Sequence, residues 1–290
     1  MGRSHVLRAG PQTVHWGYFD AGLAPALTID SGDSVRIETV NGQPRDLVGV
    51  PFDVLPEHRL IHEACAPKLS GHIVTGPVAI DGAQPGDLLE VRIREVELRQ
   101  DWGWNVMRPL RGTLPDDFPY TRLLHVPIDR ERRTATLPFG VTLPLRPFFG
   151  VMGVAPPPVY GAISSIEPRE HGGNIDNKEL GAGATLFLPV HANGALFSTG
   201  DGHAVQGDGT ASAARNDRAT QRNHGLGTRR RLCVLQHGVR PARHPAGERR
   251  KRHPRDGRPR TPRCRAQRLA SCGAGAAAAS LSERNLSSSS

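Results

Sequence analysis

Cysteine is nearly missing from the first 210 residues of this 290-residue chain, where Cys65 stands alone. That excludes an intramolecular disulfide framework there and fits a reducing compartment, so a cytoplasmic location is expected. The other cysteines, Cys233, Cys264 and Cys272, have spacings that match no zinc motif. Long apolar runs are missing too. No stretch reaches the roughly 18 apolar residues of a spanning helix, so no membrane partner is expected. The start MGRSHVLRAGPQTVHWGYFD has no apolar segment, and a secretory leader is not expected. There is no Gly-x-x-x-x-Gly-Lys-Ser/Thr phosphate loop, no dinucleotide fingerprint and no Gly-x-Ser-x-Gly elbow, which sets three large enzyme classes aside. Ser198-Thr199-Gly200, with no elbow and no lysine nearby, is a weak nucleophile candidate.

From residue 211 onward Phe, Trp, Tyr, Ile and Met all vanish, and Lys251 is the sole lysine among 19 basic residues. Against four acids this gives 211–290 a formal charge of +15; the whole chain carries +9, which leaves −6 on residues 1–210. The basic character belongs to the tail. Without a sustained apolar period the tail buries too little surface to offset chain entropy, so most of 210–290 is expected to be disordered. Two origins compete. A natural basic arm would bind nucleic acid through phosphates, and such arms usually mix Lys with Arg and interleave aromatics. An out-of-frame reading of a GC-rich gene yields Arg, Ala, Gly, Pro and Ser instead, and the composition favours this second origin. The expected organisation is one folded domain over 1–209 and a basic low-complexity tail over 210–290.

What the body does contain is strand-forming sequence. Residues 26–40, 86–98, 133–145 and 184–190 are rich in Val, Ile, Leu and Thr and are bounded by Gly, Pro or Asp. In LLEVRIREVEL, Leu89, Val91, Ile93 and Val96 fall to a core while Arg92 and Arg94 fall to water, which a helix would scatter. Ser31-Gly32-Asp33, Pro85-Gly86-Asp87, Phe139-Gly140 and Thr75-Gly76-Pro77 read as turns. No long amphipathic helix is indicated, and frequent proline argues against one. The expected fold is mainly β, a sandwich or distorted barrel with Gly/Pro-rich loops.

Chemistry-bearing residues concentrate in residues 172–209. Asp201 and His203 are two apart, so an extended backbone points both to one side. They can address one ion, or the carboxylate can orient the imidazole. Asn174 with Asp176, and Gln206 with Asp208, repeat the spacing. Oxygen and imidazole donors of this kind suit a divalent cation. His191 lies in the same stretch. His72 reads either as a strand-edge histidine or as a further ligand, and Trp102 and Trp104 either as core or as a pocket wall. His62 and Glu63 read as loop surface.

HWGYFD (15–20), TIDSGDSVRIET (28–39), TGPVAIDGAQPGD (75–87), WGWN (102–105), LPLRPFFGVMGVAPP (143–157), GGNIDNKELGAG (172–183) and GALFSTGDGHAVQGDG (194–209) together resemble the acetamidase/formamidase family. The likeness runs in order over nearly all of residues 10–209. It implies a mainly β fold and hydrolysis of short linear amides to a carboxylate and ammonia, with a divalent metal such as zinc; a homo-oligomer is also expected. It points to Asp176, Asp201, His203 and His72 as metal ligands. Asn174, Gln206 and Asp208 are the implied catalytic residues, and Trp104 and Gly173 the substrate-binding ones. The family's last block reads on as Gly-Asp-Gly-Glu, whereas Gly209 is followed by Thr210, which has no carboxylate. Asp208 is then the nearest substitute base. The competing expectation is an inactive, truncated β domain whose basic tail sticks to nucleic acid without sequence preference.

Overall fold

The computed structural model describes residues 2–110, 116 and 119–207, with the backbone of 231–235. The chain runs through β1 (Ser4–Leu7), β2 (Val14–Trp16), β3 (Tyr18–Phe19), β4 (Leu27–Ile29) and β5 (Ser34–Ile37), then α1 (Pro56–Ala64). Next come β6 (Ile73–Ile80), β7 (Leu88–Arg92), β8 (Trp102–Met107), β9 (Arg122–Asp129), β10 (Thr134–Thr136) and β11 (Thr142–Pro144). The last are β12 (Phe148–Gly153), β13 (Ile163–Ser164), β14 (Gly172–Asn174), β15 (Thr185–Pro189), β16 (Phe197–His203) and β17 (Arg231–Leu235).

Two sheets face each other. One has the order β1-β5-β17-β7-β15; the other has β14-β12-β16-β6-β2, with β4 added parallel to β6. Between them Leu7, Val35, Ile37, Leu89 and Val91 from the first sheet meet Ile29, Val78, Ile80, Met152 and Phe197 from the second in one buried cluster. Each fully buried side chain of this size contributes about 1.5–3 kcal/mol, so this interface is the main source of stability. A smaller sheet, β11-β10-β9-β8, carries its own cluster around Val126, Ile128 and Leu145, and β3 pairs with β13. The architecture is an open sandwich, mainly β as expected. Among the described residues no helix is long and apolar enough to cross a membrane.

The expected strands appear with revised limits. Residues 26–40 divide into β4 and β5 because Asp33 closes a turn: its carboxylate accepts the Asp30 N–H at 3.1 Å. Residues 133–145 form the β10–β11 hairpin across Gly140, whose φ of +85° matches its turn role. Leu89, Val91 and Ile93 are buried and Arg92 is exposed, but pairing with β15 ends at Arg92. Thr75-Gly76-Pro77 is a correction: it lies inside β6, a wholly buried strand paired with β16, β2 and β4. Gly76 is required there because an added Cβ would lie 2.4 Å from Ser198 Oγ. His62 and Glu63 lie on α1 rather than on a loop, and the His62 ring stacks on Trp16 at 5.4 Å. The tail's expected disorder falls on residues outside those described, except that Arg231–Leu235 forms a strand pairing in parallel with β5 and β7.

Candidate metal centre

Strand β12 lies between β14 and β16, with Val151 opposite Asn174 on one side and opposite Gly200 on the other. This order brings the GGNID and GDGH segments to the two flanks of one glycine, Gly150. The Gly150 carbonyl accepts the backbone N–H groups of Ile175 at 2.8 Å and Asp176 at 3.1 Å, which anchors the turn carrying the first carboxylate. Asp176 and Asp201 both have left-handed backbones, with φ of 48° and 53°. Aspartate tolerates that region better than most residues, but holding it still costs about 1–3 kcal/mol, and such strain clusters at functional sites. Asp176 follows β14 and Asp201 lies within β16, and both carboxylates reach His203.

Asp176, Asp201 and His203 each offer one ligand atom, and the three atoms lie within 4.8 Å of one another. His203 Nε2 donates to Asp201 Oδ2 at 3.0 Å and lies 3.3 Å from Asp176 Oδ1. Asp176 Oδ1 is buried, and its one polar contact among the described residues is this ion pair with His203. A Cβ placed on Gly150 would sit 2.6 Å from Asp176 Oδ1, 2.6 Å from Asp201 Oδ2 and 2.8 Å from His203 Nε2. The three donors thus converge beside a strand position that has no side chain. The Phe148 ring stacks on His203 at 4.8 Å and fixes its plane.

The electrostatics follow from this crowding. Burial disfavours a charged His203, but hydrogen bonds and charge from Asp176 and Asp201 outweigh it and push its pKa up to about 10. Burial likewise opposes ionisation of Asp201. The His203 hydrogen bond, the charges of His203 and His72 and the Asn41 amide outweigh that and hold its carboxyl below the usual range. In the metal-free chain this is an imidazolium between two carboxylates.

His72 Nε2 lies 3.7 Å from Asp201 Oδ2, outside the tight three-atom cluster but beside it. Ser165, fully buried, steadies it: Oγ accepts the His72 backbone N–H at 2.9 Å and lies 3.3 Å from Nδ1. Gln206 Nε2 donates to the Asp176 carbonyl at 2.8 Å, tying the chain after β16 to the opposite flank. Asn174 sits two residues before Asp176, its buried Oδ1 unpartnered among the described residues. Gly173 has a φ of +96°, and the place a Cβ would take is closed by His171 at 3.2 Å. Trp104, on β8, packs its indole 3.2 Å from where a Cβ on Gly42 would lie, one residue from Asn41. Trp102 is buried and donates to the Asp53 carbonyl at 2.8 Å. His191 is elsewhere, lining a concavity with Asp20, Pro85, Pro158 and Asn193. Asp208 lies outside the described residues. Sequence reasoning did not single out Asn41, Gly150, Phe148 or Ser165. Gly150 reads only as one glycine of a longer block.

The fold and these side chains define a β-sandwich protein with a carboxylate–imidazole cluster suited to a divalent cation. The chain belongs to the acetamidase/formamidase family, whose model matches residues 11–160 and 159–216. A formamidase from Methylophilus methylotrophus is 30% identical over 191 residues, which cover 48% of this chain and 46% of that protein. An acetamidase from Mycolicibacterium smegmatis is 30% identical over 196 residues, 48% of each. The solved structure of a predicted acetamidase/formamidase from the thermophile Thermoanaerobacter tengcongensis superposes with a TM-score of 0.58 at 29% identity, covering 71% of this chain and 63% of that one. The chain spans about half the length of the curated relatives it matches.

Proposed function

We propose that this chain carries the site of a hydrolase acting on the carbon–nitrogen bond of short linear amides such as formamide and acetamide. The carrying observation is the convergence of Asp176, Asp201 and His203 within 4.8 Å, in a member of a family whose named relatives are formamidases and acetamidases. The donor set fits a divalent cation: two carboxylate oxygens and one imidazole nitrogen, with the Asp176 oxygen buried and facing His203 at 3.3 Å. Bound there, zinc would supply Lewis acidity, acidifying water and polarising the amide carbonyl.

The chain's own residues have distinct tasks in this reading. His203 gives up its proton when the cation loads, because a ligating nitrogen must be neutral. Asn174 Oδ1, an unused buried acceptor, takes an N–H of the substrate amide. His72, steadied by Ser165, is a fourth ligand or a donor to the substrate oxygen. Gly173 keeps the strand before Asn174 free of a side chain, Trp104 walls the site, and Gln206 holds the Asp176 segment in place. Hydrolysis consumes one water: its oxygen joins the acyl carbon, the C–N bond breaks, and a water proton passes to the leaving nitrogen. Asp208 is the carboxylate nearest in sequence for that transfer, in place of the glutamate that the family pattern puts where Thr210 stands. Losing a general base costs about 10²–10⁴ in rate, so a weak activity is the expectation. The same reading includes a cytoplasmic homo-oligomer with residues after 209 read out of frame, and non-specific, salt-sensitive adhesion of the +15 tail to nucleic acid.

Ammonia release from formamide and acetamide by the full chain, with and without Zn²⁺, tests the proposal. Asp201→Asn and His203→Ala should abolish whatever zinc-dependent release the parent shows. Release indifferent to zinc and to both substitutions would remove the cluster from the reaction.

A further inference from the structure

Asp201 is one of the few buried carboxylates among the described residues, 8% exposed, and its two oxygens face different neighbours. Oδ2 points at His203 and His72, 3.0 and 3.7 Å away, and toward the space above Gly150. Oδ1 accepts a hydrogen bond from Asn41 Nδ2 at 2.8 Å, from a residue 160 positions earlier in the chain. The direction of the Asn41 amide is not arbitrary, because its Oδ1 accepts the Gly42 backbone N–H at 2.7 Å. With the oxygen committed to that donor, the NH₂ group must face Asp201. Gly42 is held in turn: its φ is +96°, and the Trp104 indole closes the side on which a Cβ would project. Val40, on the other side of Asn41, is buried in the cluster with Trp16, Ile61 and Ile73.

We propose that Asn41 is a positioning residue of the centre: its amide occupies one oxygen of Asp201 and so dedicates the other to a divalent cation and to His203. Being neutral, it supplies this hydrogen bond without adding a third negative charge to Asp176 and Asp201. A carboxylate with one oxygen engaged binds a metal through the other; freed of that bond, it can rotate or chelate through both. The inference rests on reading Asp176, Asp201 and His203 as a cation site.

The test titrates the full chain with Zn²⁺ alone against a chromophoric chelator. Two variants remove the donor: Asn41→Leu, which keeps the volume, and Asn41→Ala, which is smaller in case the larger side chain is not accommodated. Loss of such an outer partner typically lowers metal affinity about 10–100-fold, and that fall is expected in both. The visible spectrum of Co²⁺ bound in place of zinc reads the carboxylate's binding mode, and it should shift in both variants, which a merely structural role would not produce. Unchanged affinity and an unchanged Co²⁺ spectrum in folded variants would overturn the role of Asn41 and leave the centre standing. A parent chain that binds no zinc would instead overturn the centre, and the role of Asn41 with it.

Discussion

Gly150 lacks a side chain for reasons of room rather than backbone freedom, because the atoms that close on it are the candidate donor atoms of Asp176, Asp201 and His203. Gly150→Ala should leave a folded protein, since the ends of Asp176, Asp201 and His203 can swing aside, yet lower zinc affinity at least about 100-fold, read by chelator competition. A folded Gly150→Ala variant with parental affinity would show that the cation sits elsewhere. His203 supplies the second residue-scale expectation. It holds a proton up to about pH 10 in the metal-free chain, and binding must displace it. Zinc affinity should therefore rise about tenfold per pH unit between roughly pH 7 and 9, and a flat profile would exclude His203 as a ligand. The raised pKa also stabilises the metal-free fold: that contribution is whole below the ordinary value of 6.5 and fades as pH rises through about 10.

At the scale of the element, β16 shows why two glycines in one motif are unequal. A Cβ on Gly200 would fall 2.3 Å from the Ile73 carbonyl on β6, a backbone atom that cannot yield without parting the strands. On Gly202 it would meet Phe149 at 3.8 Å, an ordinary contact. Gly200→Ala should cost roughly 3 kcal/mol and Gly202→Ala less than about 0.5 kcal/mol, as read from urea midpoints. Equal losses would mean that the β6–β16 approach is looser than its register indicates. Much of the element level is legible in the residues. The alternation of Leu89, Val91 and Ile93 with Arg92 announces β7 because period 2 and burial on one face are the same fact. Gly76-Pro77 misleads for an equally physical reason: the pair reads as a turn locally, and only the close approach of β16 gives it a place inside a strand.

For the whole molecule the buried histidines dominate the response to acid. Burial holds His15, His58 and His171 at pKa values of about 4. His58 and His171 have neither ring nitrogen hydrogen-bonded among the described residues, so a proton arriving there would be a buried, unpaired charge. Because the folded values lie below the unfolded value of 6.5, their contribution is present above pH 6.5 and is lost as pH falls toward 4. At about 3 kcal/mol each, the loss rivals the 5–15 kcal/mol by which domains are usually stable. Urea midpoints should fall steeply between pH 7 and about 4.5, and less so in His58→Leu; a parallel decline in parent and variant would shift the cause to other groups.

By itself the sequence determined the mainly β character, the break in composition near residue 210, and the candidacy of Asp176, Asp201 and His203, since alternation, charge and donor chemistry are local properties. Only the tertiary structure decided that these three share one point. Asp176 and Asp201 are 25 positions apart and meet because β14 and β16 flank β12, while Asn41 reaches Asp201 across 160 positions. Spacing within a motif reports which side chains share a face. Strand order, set by how the sheets bury their apolar sides, decides which motifs become neighbours.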